Sequence, residues 1–238
     1  MSEQDVALLR ARFAAVEAAV EAACRTAGRT RDSVTVVGVV KKQAPAAIDA
    51  FVRWCRERAQ PAVIGVNYVQ EYRAVSPQLA ERPDKVHFIG RLQKNKARDA
   101  VALFDVIETV DSPELARVLD AAALRTGKIQ AVLLQVNISA DEQKGGFTPD
   151  SVAKFLEGEG RTLSHLSIQG VMTITRFYET AAEARPDFRR LADLLRALPV
   201  GIGSALSMGM SQDFEVAIAE GATSVRLGTA LFGERKAS

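Results

Sequence analysis

The feature that most constrains this chain is an alternation repeated eight times. A short apolar run rich in β-branched residues is followed each time by a stretch with apolar residues at helical spacing. The runs fall at 34–40, 62–65, 86–89, 106–110, 131–138, 166–174, 205–208 and 224–227. Most are apolar on both faces, as strands buried on both sides are. Helical patterns follow at 45–58, 67–79 and 94–103, after the Asp111-Ser112-Pro113-Glu114 start, and at 149–157, 181–198 and 214–220, with a short terminal helix last. No hairpin signal joins two runs, so the strands are parallel, since a parallel neighbour needs a crossover connection. Eight such units in 238 residues fit a closed (β/α)8 barrel of the TIM type. An open doubly wound sheet is the alternative, weakened by the lack of G-x-G-x-x-G after the first run. Residues 1–28 read as an amphipathic helix packed on the barrel, with Leu8, Leu9, Phe13, Val16 and Val20 on one stripe. No linker or break in composition divides the chain, so a single α/β domain over 1–238 is expected.

Charge and composition exclude several classes. Lys and Arg number 31 against 29 Asp and Glu, a balance that makes no case for nucleic acid or a membrane surface. No apolar run is long enough to span a bilayer, and charges spread through 1–28 exclude a secretory segment. Cys24 and Cys55 lie in helix-like segments without metal spacing and read as reduced residues of a cytoplasmic protein. With His87 and His165 as the only histidines, no metal site is expected. Asn137-Ile138-Ser139 matches a glycosylation sequon by coincidence.

Parallel barrels place their chemistry just beyond the carboxyl ends of the strands. Lys41 ends the first run there. A lysine partly shielded at such a position shifts toward its neutral form and can hold an aldehyde as a Schiff base. From that run alone, a strand-end lysine reaching solvent is the plainer reading. Asn67 follows the second run, 90–95 the third, Met172 and Thr173 close the sixth, and 207–211 and 226–229 close the seventh and eighth. The glycines, hydroxyls and amides of the last two suit a phosphate. Arg226 keeps its proton, so facing a pyridine nitrogen it would leave that nitrogen unprotonated; pairing with a carboxylate is the plainer role. Lysine, phosphate cradle and arginine on one rim specify pyridoxal 5′-phosphate (PLP) better than any of them alone. Gln93 to Lys96 with Arg98 form a basic cluster, read as a solvated helix face or as an anion-binding or partner surface. The loop 141–146 lacks a calcium-ligand pattern.

Taken together, several segments resemble those of the pyridoxal-phosphate homeostasis protein family, single-domain relatives of the alanine racemase barrel. They are Val36-Val-Gly-Val-Val-Lys41, Gly65-Val-Asn-Tyr-Val-Gln-Glu71, His87-Phe-Ile-Gly-Arg-Leu-Gln-Lys-Asn-Lys96, Leu134-Gln-Val-Asn-Ile-Ser139 and Lys144-Gly-Gly-Phe147. Gly170-Val-Met-Thr173, Leu206-Ser-Met-Gly-Met-Ser211, Asp213-Phe-Glu-Val-Ala-Ile218 and Val225-Arg-Leu-Gly-Thr-Ala-Leu-Phe-Gly233 complete the set. The resemblance implies an internal aldimine between PLP and Lys41, with Ser207, Gly228 and Thr229 on the phosphate. It also implies Arg226 at the pyridine nitrogen, Asn67 lining the ring pocket, and Met172 and Met208 as wall residues. Three positions depart from the family pattern: Val40 and Lys42 flank the lysine where serine and threonine are usual, and Val66 stands in place of a glutamate. Strand alternation puts Lys41 on the face of Val37 and Val39 and Lys42 on the other, so Lys41 is the ligand if the odd face is the pocket face.

The expected function is a PLP-binding protein that buffers or delivers the cofactor in vitamin B6 and amino-acid homeostasis. Its partners would be PLP-requiring apo-enzymes, and the chain a monomer. The alternative is a small PLP-dependent amino-acid racemase or lyase. Racemisation needs a second base, which the resemblance assigns in two-domain racemases to a tyrosine on an added β-domain. With the chain ending at Ser238 that domain is not expected, and none of Tyr68, Tyr72 and Tyr178 stands in a motif for the role. An arginine at the pyridine nitrogen also weakens the cofactor as an electron sink. A third reading is a barrel for another phosphorylated ligand, with Lys41 acting only as a charge.

Overall fold

The apolar runs form β1 (Thr35–Val39), β2 (Val63–Val66), β3 (Lys85–Phe88), β4 (Val106–Val110), β5 (Gln130–Gln135), β6 (Leu166–Met172), β7 (Ala205–Ser207) and β8 (Ser224–Leu227). The computed structural model describes residues 1–199 and 201–234. Each strand pairs in parallel with the next, and β8 returns to β1, with Thr35 opposite Ser224 and Val37 opposite Arg226. The ring is therefore closed, a (β/α)8 barrel with no free sheet edge.

The helices are α1 (Glu3–Thr26), α2 (Pro45–Glu57), α3 (Val69–Val75), α4 (Ala97–Leu103), α5 (Pro113–Thr126), α6 (Pro149–Glu157), α7 (Arg185–Ala197), α8 (Phe214–Ala219) and α9 (Thr229–Phe232). Local chemistry sets their ends. Ser112 caps α5 by accepting from the Leu115 amide, and the helix stops at Gly127 in the left-handed region. The helical pattern at 67–79 shrinks to α3 plus a short 3-10 turn, where Pro77 has no N–H to continue the ladder. The patterns at 94–103 and 181–198 likewise open with 3-10 turns before α4 and α7.

Two glycines orient the strands. A Cβ on Gly38 would meet the Phe51 ring of α2 at 2.6 Å, so Gly38 faces outward. A Cβ on Gly65 would lie 2.9 Å from Val37 and Ile89, so those residues face the interior. The odd-numbered face of β1 is thus the inner one. The main apolar shell lies between strands and helices, with Ile48, Ile64, Phe88, Ile107, Leu119 and Leu134 in it.

Helix α1 lies across the seam of the ring, packed on α2, α8 and α9. Its buried stripe is Leu9, Phe13, Val16, Val20 and Cys24. Leu8 is 53% exposed, which corrects its place on that stripe: one residue is about 100° of helical turn. Phe13 meets Phe51, Trp54 and Phe232 at ring distances of 5.5, 6.0 and 5.9 Å. Arg31 closes the far end, paired with Glu17 at 2.8 Å and bonded to Gln60. Both cysteines are free thiols in buried positions. No helix among the described residues is long and apolar enough to cross a membrane.

The run at 131–138 ends as a strand at Gln135. Beyond it Val136 makes an isolated parallel bridge to Phe147, and the Asn137 amide group donates to the carbonyls of Asp141 and Lys144. The loop after β5 is therefore organised from within, and Lys144 Nζ ties it to the Thr175 carbonyl.

Candidate functional site at the carboxyl rim

Lys41 stands two residues past β1. Val40 belongs to the outer apolar shell, so alternation brings Lys41 to the inner side of the rim. Its Nζ lies over the Tyr68 ring, 5.1 Å from the centroid. Lys42 leaves the strand: its φ is 60°, its side chain is exposed and its amide donates to Glu71. The two adjacent lysines thus occupy different environments, and Lys41 has the sheltered one.

Asn67 follows β2 on the same rim and lines a small cleft with Lys41. Its Oδ1 is buried and has no hydrogen-bond partner among the described residues. Such an orphan acceptor costs stability unless a donor reaches it; Gln130 Oε1 is the other buried acceptor in this state among the described residues. The backbone is held closely here. A Cβ on Gly90 would sit 2.0 Å from the Asn67 carbonyl oxygen, and the Gly90 carbonyl accepts from Thr109 Oγ1 at 2.6 Å.

Arg226 projects from β8 into the barrel, 4% exposed. Its Nη1 donates to Ser207 Oγ at 2.6 Å and its Nη2 to the Thr173 carbonyl at 2.7 Å. Ser207 Oγ in turn donates to Glu108 Oε2 at 2.6 Å, and Glu108 Oε1 pairs with His87 Nδ1 at 2.6 Å. Glu108 has no exposed surface and stands 4.0 Å from the guanidinium. Desolvation pushes its carboxyl up, but the His87 hydrogen bond and charge, Arg226 and the Ser207 hydroxyl outweigh that and hold it below the usual carboxylate range. Burial lowers the Arg226 guanidinium while Glu108 and Asp213 oppose the shift, and it keeps its proton. The result is a line of four side chains on β3, β4, β7 and β8, in which His87, Glu108 and Ser207 hold Arg226 in place.

This geometry revises the picture of Ser207 and Met208. The Ser207 hydroxyl is fully buried and engaged on both sides, so it anchors Arg226 instead of facing the rim. Met208, one residue on, turns into the shell between strands and helices, so it is not a wall of the pocket. Met172 is fully buried in register with Ser207 and Gln135, on the interior face. Gly228 follows β8 beside Val39, and Thr229 is exposed at the start of α9. The hydroxyl that meets this turn is Ser211, whose Oγ accepts from the Ala230 amide at 3.2 Å. Nearby, Asp213 accepts from the Met210 amide at 2.7 Å, and desolvation raises its carboxyl.

The structure thus brings Ser211, Arg226, Gly228, Thr229, Lys41 and Asn67 onto one continuous arc of rim, from β7 through β8 and β1 to β2. Sequence reasoning missed Glu108, His87 and Tyr68 as members. Glu108 carried one signal: a lone carboxylate inside an apolar run. The basic cluster divides, with Lys94 and Lys96 facing a cavity on the β2–β5 side and Arg98 exposed on α4; Arg91, outside that cluster, faces the same cavity.

Fold and rim together define a (β/α)8 barrel with a sheltered lysine after its first strand and a buried arginine on its last, an alanine racemase type of barrel. Residues 14–236 match the family described as alanine racemase, N-terminal domain. The pyridoxal phosphate homeostasis protein of Aquifex aeolicus strain VF5 is 38% identical over 213 residues, covering 88% of this chain and 91% of that protein. The protein of the same name from Pseudomonas aeruginosa is 36% identical over 223 residues, covering 93% and 94%. PipY of Synechococcus elongatus PCC7942, solved with PLP bound, superposes with a TM-score of 0.78 at 35% identity, over 94% of this chain and 100% of PipY. The chain belongs to the alanine racemase N-terminal domain family and, within it, to the pyridoxal phosphate homeostasis proteins. Alanine racemase of Clostridium difficile 630 shares the fold alone, with a TM-score of 0.67 at 15% identity over 96% of this chain and 57% of the racemase.

Proposed function

We propose that this protein binds PLP, held as a Schiff base on Lys41, and buffers or delivers it to apo-enzymes that require it. The observation that carries the reading is a sheltered Lys41 and an orphan Asn67 oxygen lining one cleft at the rim, with Arg226 locked inside the same barrel. The names of the relatives and the PLP in PipY support it. When bound, the cofactor supplies an aldehyde open to an amine and an electron-withdrawing ring. Lys41 provides the amine. Asn67 Oδ1 accepts a donor that it otherwise lacks. Arg226, immobilised by Ser207, the Thr173 carbonyl and Glu108, takes the ring nitrogen and leaves it unprotonated. Gly228, Thr229 and the Ser211 hydroxyl would hold the phosphate, and Met172 would contribute apolar surface from the interior face.

A carrier suits this arrangement better than an amino-acid enzyme, because an unprotonated ring is a poor electron sink. The test is a visible absorption spectrum with PLP, then borohydride reduction and peptide mass mapping. A yellow band and an adduct on Lys41, both absent in Lys41→Ala, are expected. An adduct on Lys42 would move the attachment point, and no adduct on either would overturn the reading. Turnover of amino acids by the loaded protein would replace the carrier with an enzyme. Activation of a PLP-dependent apo-enzyme mixed with the loaded protein would support delivery.

A further inference from the structure

A cavity of about 910 Å³ opens on the half of the rim above β2 to β5, beside the lysine cleft. That volume suits a small organic ligand. Asn67 and Tyr68 form the wall between the two, Asn67 lining both and Tyr68 lying under Lys41 Nζ.

The cavity is built around a buried anchor. Leu92 is 6% exposed and pins the segment after β3, so that Arg91 and Lys96 on either side of it face the cavity. Its electrostatics are one-sided. Lys94 is matched by Glu114, and Asp111 is the one carboxylate in the lining. Arg91 and Lys96 make no ion pair among the described residues, so the cavity keeps an uncompensated positive charge. Arg98 belongs to the same run of sequence but stands outside the cavity on α4. A solvated basic helix face would not sort its cations in this way. Phe88, Leu92 and Leu115 supply apolar surface to go with the charge.

We infer that this cavity is a second binding site, separate from the lysine cleft, for a small organic anion bearing a carboxylate or a phosphate. Arg91 offers a planar fork for two parallel hydrogen bonds and Lys96 a second charge. The inference stands apart from the cofactor reading, since it uses none of Lys41, Arg226, Gly228 or Thr229.

The test is calorimetric titration with inorganic phosphate and, separately, succinate. Each is titrated into protein reduced with PLP and into protein never exposed to it. One saturable site is expected for at least one probe in both forms, and the probe that binds identifies the group recognised. Losing two charge-assisted contacts in R91A/K96A should weaken that binding by about tenfold or more, with R98A unchanged. Both substituted side chains lie at the surface without ion-pair partners, and a circular-dichroism melt checks that the variant is folded. No saturable binding in either form, or binding that R91A/K96A leaves intact, would overturn the inference. Should PLP form no adduct, the cofactor reading falls alone, and the titration of untreated protein still decides this one.

Discussion

Glu108 has no exposed surface, yet its carboxyl is held below the usual carboxylate range by the company it keeps. His87 and Ser207 bond its oxygens, and Arg226 supplies the nearby charge. Glu108→Gln removes the carboxylate and leaves the guanidinium without its counter-charge, so a loss of about 3 kcal/mol is expected in urea unfolding. The pH dependence has a definite sign. The folded carboxyl is held below its unfolded value, so its stabilisation is fully present above an unfolded pKa of about 4.3 and is lost as pH falls through the folded value. The urea midpoint of the native protein should therefore fall on acidification below about pH 5, and more steeply than that of Glu108→Gln. Equal slopes would deny Glu108 this role. At this scale the sequence reported position, placing Lys41 and Asn67 just beyond their strands and Arg226 within β8. It was illegible where partners come from separate strands: His87, Glu108, Ser207 and Arg226 meet only after the ring closes, and no spacing along the chain reports that meeting.

Among the elements, strand alternation does the sorting. It puts Gly38 and Met208 outside and Val37, Ser207 and Arg226 inside, which is why neither Ser207 nor Met208 has the surroundings expected of it. The two tight glycines predict different outcomes. At Gly38 an added methyl meets the edge of the Phe51 ring, which can rotate or shift, and Gly38→Ala should cost about 1 kcal/mol. At Gly90 it meets the Asn67 backbone, which cannot yield without parting β2 from the β3 loop, and Gly90→Ala should cost about 3 kcal/mol. Thermal unfolding of both variants checks the order. All eight strands were legible as apolar runs and kept their places. The errors were at ends, where Val136 leaves the sheet to bridge Phe147 and where Pro77 shortens α3. Those ends depend on which backbone partner is within reach, and composition does not encode that.

For the molecule as a whole, α1 is a clasp across the seam between the first and last units. Phe13 is its central contact, 1% exposed among Phe51, Trp54 and Phe232. Phe13→Ala should cost about 4 kcal/mol and loosen the seam first, which hydrogen exchange would register as lost protection in β1 and β8 ahead of β4 and β5. The closed ring also has a consequence in time. During synthesis β1 emerges first of the eight strands, yet its partner on one side, β8, is the last of them. Until then the sheet is an unfinished curl with a bare strand at its margin, and α1 has only part of its seat. Completion of the ring is therefore a long-range event, and the newborn chain stays open at one seam until its eighth strand arrives.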